Sequence, residues 1–185
     1  MILNLEDQIK AALKVNYVDK SKRYMHIMGV YEKSIKLSEH YKKDTNKVIL
    51  ASLMHDYTKY LSKEKQIELM QEANYDTSIS SNLYHAYTAE YLAKSLYGIK
   101  DKEILNAIKY HPTGHPKMTD TLKILMIADI TEENTRDYQV SKEVRKYEFI
   151  SLDKALKIKL EYMVKDAKKR NYELSDYTKE LIKEL

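Results

Sequence analysis

Residues 48–60 read Val-Ile-Leu-Ala-Ser-Leu-Met-His-Asp-Tyr-Thr-Lys-Tyr. Val48, Ile49, Leu53 and Met54 recur at helical spacing, so the segment reads as an amphipathic helix over about 45–57, with Asp44 as its N-cap. His55 and Asp56 close that apolar run. An ionised carboxylate beside a hydrophobic stripe is costly unless a cation or a metal ion pairs with it. Lys59 follows His55 by four residues and shares its face, which can place a ligand and a phosphate-binding cation around one pocket.

The same periodicity continues in both directions. Leu5, Ile9, Leu13 and Tyr17 mark a first helix, and a second runs over about 20–41 with Tyr24, Ile27, Met28, Tyr31 and Ile35 on one stripe. Ser62 can cap a fourth helix, bearing Ile67, Leu69 and Met70. A polar stretch, 74–81, precedes a helix over about 82–97 that Gly98 stops. Asp101 opens the next, and Pro112 ends it. Residues 111–116, His-Pro-Thr-Gly-His-Pro, gather both prolines and a glycine and read as a loop. Thr119 or Asp120 starts an unusually apolar helix from Leu122 to Ile130, and 141–185 supply two or three more. Three Gly and two Pro are too few for the turns of a sandwich or barrel. The expectation is an all-α bundle of about eight to ten helices. It forms one domain over 1–185, with a motif core at about 20–137 and C-terminal helices at about 141–185.

Composition narrows the function classes. With 43% hydrophobic and 32% charged residues the chain reads as folded and globular. Cysteine is absent, so any metal must be held by histidines and carboxylates. No apolar run approaches the roughly 18 residues of a membrane span. The opening MILNLEDQIKAALK lacks the pattern of a signal peptide, so a cytoplasmic place without a membrane partner is expected. The net charge of +4 lies largely on basic faces such as 154–170, which read as solvated surface. No aromatic–basic RNA motif or zinc-finger spacing accompanies them, so no nucleic-acid partner is expected. Oligomeric state is not written in the sequence.

Asp129 poses the same question as Asp56. It ends the run Leu122–Ala128, and no basic residue stands three or four positions away to pair with it. His26, His85 and His111 fall on three further helices, and helical bundles build metal sites from side chains that converge in this way. The set His26, His55, Asp56, His85, His111 and Asp129 offers only nitrogen and oxygen donors, suited to iron, manganese, cobalt, zinc or, less well, magnesium. Six ligands exceed the need of one open catalytic ion and fit two ions about 3.5–4 Å apart, which would activate water and neutralise phosphoryl charge. His40, on an amphipathic helix, reads as an ordinary packed or solvated histidine.

The order H…HD…H…H…D resembles the HD-domain superfamily of metal-dependent phosphohydrolases. Arg23-Tyr-Met-His26-Ile-Met-Gly-Val30 is similar to the RYxHxxGV opening of its YqeK family, and Leu53–Lys59 to the LLHDYAK of that family. Residues 85–99, 110–114 and 127–129 resemble its HAxxGAxxAxxxFGI, YHTTG and IAD segments. The resemblance implies symmetrical hydrolysis of diadenosine tetraphosphate to two ADP at a two-iron centre. It implies that His26, His55, Asp56 and Asp129 hold one ion and Asp56, His85 and His111 the other. It further implies that Asp56 and Lys59 take part in catalysis, that Lys59 and Arg136 meet phosphate, and that the Thr113–Gly114 loop offers backbone donors. Two positions depart from the family pattern. His115 stands where the family commonly has Arg, and Glu133 replaces the Pro of ADxIEPxR and sets Arg136 one residue later. These departures leave open hydrolysis of mononucleotides, or nucleotide sensing without turnover, on the same scaffold.

Overall fold

The computed structural model describes residues 4–17 and 21–183. Among them are ten α-helices, one short 3-10 turn over Ser81–Leu83 and no strand. The helices are α1 Leu5–Asn16, α2 Ser21–His40, α3 Thr45–Met54, α4 Lys63–Glu72, α5 Tyr84–Ser95, α6 Lys102–Tyr110, α7 Asp120–Thr131, α8 Gln139–Arg145, α9 Leu152–Arg170 and α10 Asp176–Lys183. The expected start of the second helix at Lys20 lies outside the described residues. The all-helical expectation holds, and the C-terminal stretch forms three helices.

The punctuation follows local chemistry. Asp44, Ser62, Asp101 and Thr119 each accept backbone N–H groups from the first turn that follows, satisfying donors with no partner inside the helix. Gly98, at φ +63°, sits past the end of α5, where its amide donates to the Lys94 carbonyl. The apolar reading of α7 also holds. Leu122 and the run Ile124–Ala128 are buried nearly all round, and α7 packs against α2, α3, α6, α8 and α9. A helix buried on every side is the axis of a core rather than a wall of it.

Two elements differ from the expectation. In α2 Ile27 of the expected stripe is buried, together with His26, Gly29, Val30, Lys33, Ser34, Leu37 and Ser38, whereas Tyr24, Met28, Tyr31 and Ile35 lie only partly buried. The helix presses its small polar residues inward where α3 and α7 cover it. The third helix stops at Met54 instead of running to Tyr57. Beyond it, amides at Tyr57, Lys59 and Leu61 donate to Met54, Asp56 and Thr58, giving consecutive tight turns. Those turns bury His55, Asp56, Tyr57 and Thr58 in succession, which one face of an α-helix does not allow.

Candidate metal centre

The turns after α3 deliver His55 and Asp56 into the middle of the bundle. Tyr17 of α1 donates to the Asp56 carbonyl at 2.7 Å, and Thr58 donates to the His85 carbonyl at 2.8 Å, tying the turn to the helices on either side. His26 arrives from α2, His85 from the first turn of α5, His111 from the end of α6 and Asp129 from α7. The four histidines and Asp56 are buried, while the Asp129 side chain keeps 19% exposure.

Asp56 divides the cluster. Its Oδ2 lies 3.8 Å from Nε2 of both His26 and His55. Its Oδ1 lies 3.4 Å from Nε2 of His85 and 3.8 Å from that of His111. Asp129 joins the first pair through Oδ1, 3.2 Å from His26 Nε2. The donor atoms of His26, His55 and Asp129 all fall within 4.8 Å of one another, as do those of Asp56, His85 and His111.

The other ring nitrogens settle the tautomers. His55 Nδ1 donates to the Ser52 carbonyl at 2.6 Å and His111 Nδ1 to the Ile108 carbonyl at 2.8 Å. His26 Nδ1 faces Glu132 Oε1 at 3.1 Å. With the proton held at Nδ1, each Nε2 lone pair is left for a cation, the usual outer arrangement around a histidine ligand. Burial pushes the His55 and His111 rings down from the ordinary imidazole value and takes His85 to about 4, so these rings are neutral at pH 7. Burial alone would raise the Asp56 carboxyl. Its attraction to His55, Lys59, His85 and His111 outweighs burial and holds Asp56 well below the carboxylate range. The same contest at Asp129 is won by His26, Lys159 and Arg136. His26 differs: burial lowers it, but the Asp129 and Glu132 carboxylates outweigh that and raise it above the ordinary imidazole value. Neutral His55, His85 and His111 around ionised Asp56 and Asp129 are the protonation states that metal binding requires, and His26 would give up a proton on joining them, so the residues present fit two cations.

A ring of fixed positive charge surrounds the two carboxylates. Arg23 Nη1 lies 2.5 Å from Asp56 Oδ2, and Lys59 Nζ lies 3.8 Å from Asp56 Oδ1 and 3.1 Å from His85 Nε2. Arg136 places Nη2 2.8 Å from Asp129 Oδ1 and donates from Nε to the Asp129 carbonyl. Lys159 lies within the basic stretch of α9 expected to be solvated. It turns inward instead, donates to the Met126 carbonyl at 2.7 Å and stands 3.9 Å from Asp129. Burial lowers it to about 8. The missing local partner of Asp129 is therefore supplied from a distance, by Arg136 and Lys159.

The loop after His111 departs from its expected use. The Thr113 and Gly114 amides both donate to the Tyr110 carbonyl, at 3.1 and 2.7 Å, so the backbone donors expected to meet phosphate are spent in closing the turn. His115 packs between the rings of Tyr110 and Tyr177, at 4.6 and 4.9 Å between centroids, and its Nδ1 accepts from the Lys117 amide at 3.0 Å. His40 is exposed and sits edge-on to Tyr41 and Phe149.

Glu132 was not among the residues that the sequence singled out. It is fully buried and accepts from the Asn134 and Thr135 amides while facing His26. Two signals were available: the Glu of the ADxIEPxR pattern, which falls on Glu132, and Gly29, one turn after His26, where an added Cβ would meet Glu132 Oε2 at 2.5 Å. Arg145 donates to the carbonyls of Thr131, Glu132 and Arg136 and so fixes the loop that carries Glu132 and Arg136.

The HD domain family matches residues 23–134, the stretch that contains all six converging side chains. The chain belongs to the HD-domain family. Its relatives narrow the class further. It is 45% identical over 114 residues to a Staphylococcus aureus (strain NCTC 8325 / PS 47) protein named symmetrical bis(5'-nucleosyl)-tetraphosphatase, a match that spans 60% of this chain and 59% of that relative, less than two thirds of its length. It is 34% identical over 137 residues to a Bacillus subtilis (strain 168) protein of the same name, spanning 72% of this chain and 73% of the other. A crystal structure from Clostridium acetobutylicum, described as a "predicted HD superfamily hydrolase involved in NAD metabolism", is 34% identical with a TM-score of 0.87, covering 96% of this chain and 94% of that one. No described helix is long and apolar enough to cross a membrane.

Proposed function

We propose that the protein is a metal-dependent phosphohydrolase that cuts a dinucleoside tetraphosphate, diadenosine tetraphosphate first, at its central anhydride to release two nucleoside diphosphates. The observation that carries this reading is the division of Asp56, whose two carboxylate oxygens face two different histidine pairs. On this reading His26, His55 and Asp129 hold one ion, His85 and His111 hold a second, and Asp56 serves both. Iron is the proposed metal, and the donor set also admits manganese, cobalt, zinc or magnesium. When bound, such ions neutralise charge on phosphoryl oxygens and acidify water. The substrate class comes from the two relatives named as symmetrical tetraphosphatases.

The chain's own side chains do the rest. Lys59 and Arg23, each about a third exposed at the rim of Asp56, meet phosphate oxygens on one side. Arg136, whose Nε and Nη2 are engaged by Asp129, meets them on the other through its remaining Nη1. Buried His26, His55 and His111 keep their directions through partners on the far ring nitrogen. Thr113, Gly114 and His115 shape the turn that carries His111. The HD segment and the C-terminal helices act as one domain, since Leu156, Leu160 and Leu181 share the core of α7. On this reading the substrate is a free nucleotide rather than a nucleic acid, and the enzyme works in the cytoplasm.

The test is product analysis. Anaerobically purified enzyme is given diadenosine tetraphosphate, and its nucleotides are resolved by chromatography. Two ADP per substrate is the expected result. AMP with ATP, no turnover, or far faster hydrolysis of a mononucleotide would overturn the reading.

A further inference from the structure

The C-terminal helix α10 lies outside the residues matched by the HD domain family, yet it lands on the loop that follows His111. Thr178 is buried at 1% exposure, and its hydroxyl donates to the Thr113 carbonyl at 2.8 Å. Leu181 fills the space beside Gly114, where a Cβ would meet it at 2.6 Å and where φ is +70°. Tyr177 packs against His115 and, edge-on, against Tyr110, with centroids 5.1 Å apart. Three side chains on one face of an eight-residue helix thus touch the segment 110–115.

The opposite side of that segment is fixed by α6. The Tyr110 carbonyl receives the Thr113 and Gly114 amides, and His111 Nδ1 donates to Ile108. The direction of the His111 ring depends on the backbone of this turn, because His111 is the residue at which α6 gives way to it. We propose that α10 is a clasp that positions His111 within the Asp56–His85–His111 group, with Thr178 as its positioning residue. The inference rests on the metal reading of that group. It adds that one of the two sites depends on α10, whereas the site at His26, His55 and Asp129 is supported instead by Lys159 of α9 and, through the loop carrying Glu132, by Arg145 of α8.

The experiment compares wild type, Thr178→Val and Thr178→Ser. Mn²⁺ binding is followed by equilibrium dialysis of metal-stripped protein, and hydrogen exchange is followed at the Thr113 and Gly114 amides. Wild type should take up two Mn²⁺. Thr178→Val should keep one at unchanged affinity and bind the second about 10–100-fold more weakly, the size of effect seen when partners of metal ligands are removed. Its two loop amides should exchange faster while those of α7 do not. Thr178→Ser, which keeps the hydroxyl, should restore both readouts, and Leu181→Ala should repeat the Val pattern from the apolar side. Unchanged Mn²⁺ affinities alongside faster loop exchange would overturn the positioning claim. Equal weakening of both ions with faster exchange throughout would overturn it too, as general destabilisation. A wild type that takes up no Mn²⁺ would instead overturn the proposed function and with it the role of His111, leaving exchange alone to judge the clasp.

Discussion

Glu132 Oε1 lies 3.1 Å from Nδ1 of His26, a buried carboxylate holding the back of a histidine whose front nitrogen faces Asp56 and Asp129. The carboxylate is itself held by two backbone amides and the Thr135 hydroxyl. Such a partner fixes the ring's tautomer and raises its strength as a ligand. Glu132→Gln keeps the shape but removes the charge and turns an amide group toward existing donors. The ion at His26 should bind about 10–100-fold more weakly, with the other ion unaffected. Mn²⁺ titration by calorimetry checks this, and equal binding of both ions by variant and wild type would refute it.

Gly29 makes room for that carboxylate. A Cβ there would stand 2.5 Å from Glu132 Oε2 and 2.9 Å from Asn134 Nδ2. In an ordinary helix Gly→Ala stabilises. Here Gly29→Ala should destabilise by about 1–3 kcal/mol, the cost of overpacking, and should weaken metal binding in the manner of Glu132→Gln. A thermal melt measures the first effect. A melting temperature at or above wild type would show that the loop yields without cost.

Lys59 is assigned to phosphate rather than to holding the metal centre. Lys59→Met keeps the length of the stem and removes the charge. It should lower kcat/KM by about 10²-fold, as loss of one oriented donor does, while both ions stay bound. Metal content measured beside kinetics separates the roles. Loss of an ion in Lys59→Met would move the residue into the structural support of Asp56.

Glu103 links α6 to its neighbours, through Lys47 of α3 at 2.8 Å and Thr121 of α7 at 2.7 Å. Lys47 holds its carboxyl below the ordinary glutamate value, against a smaller opposing effect of burial. A carboxylate depressed in the folded state contributes stability above its unfolded pKa, about 4.3. That contribution disappears as pH falls through the folded value. The pair is partly exposed, so Glu103→Gln should cost only about 0.5–1 kcal/mol near neutrality. The gap to wild type should close below about pH 4. Urea unfolding at several pH values reads the gap. A difference that persists or widens in acid would contradict the assignment.

Much of this was legible in the sequence because it was local. Caps at Asp44, Ser62, Asp101 and Thr119 act over three residues, and the apolar run of α7 declares its burial directly. Asp56 and Asp129 stood out as carboxylates beside apolar runs, and the four histidines by their order along the chain. What could not be read depended on distant parts of the chain. Glu132 sits 106 residues from His26, and neither of its traces, the Glu of the ADxIEPxR pattern and a glycine that spacing alone does not explain, says that it reaches His26. Lys159 looked like one more lysine on a basic face, since nothing in 154–170 says which one the core of α7 turns inward. The loop after His111 looked free to donate its amides, because the carbonyl that takes them is its own Tyr110 and the helix that covers it begins at Asp176.

The most direct test of the central claim is an anomalous-scattering map at the iron edge from crystals grown without oxygen. The account predicts two peaks about 3.5–4 Å apart, one beside His26, His55 and Asp129, the other beside His85 and His111, with one Asp56 oxygen reaching toward each. A single peak, or two peaks of which only one approaches Asp56, would contradict it.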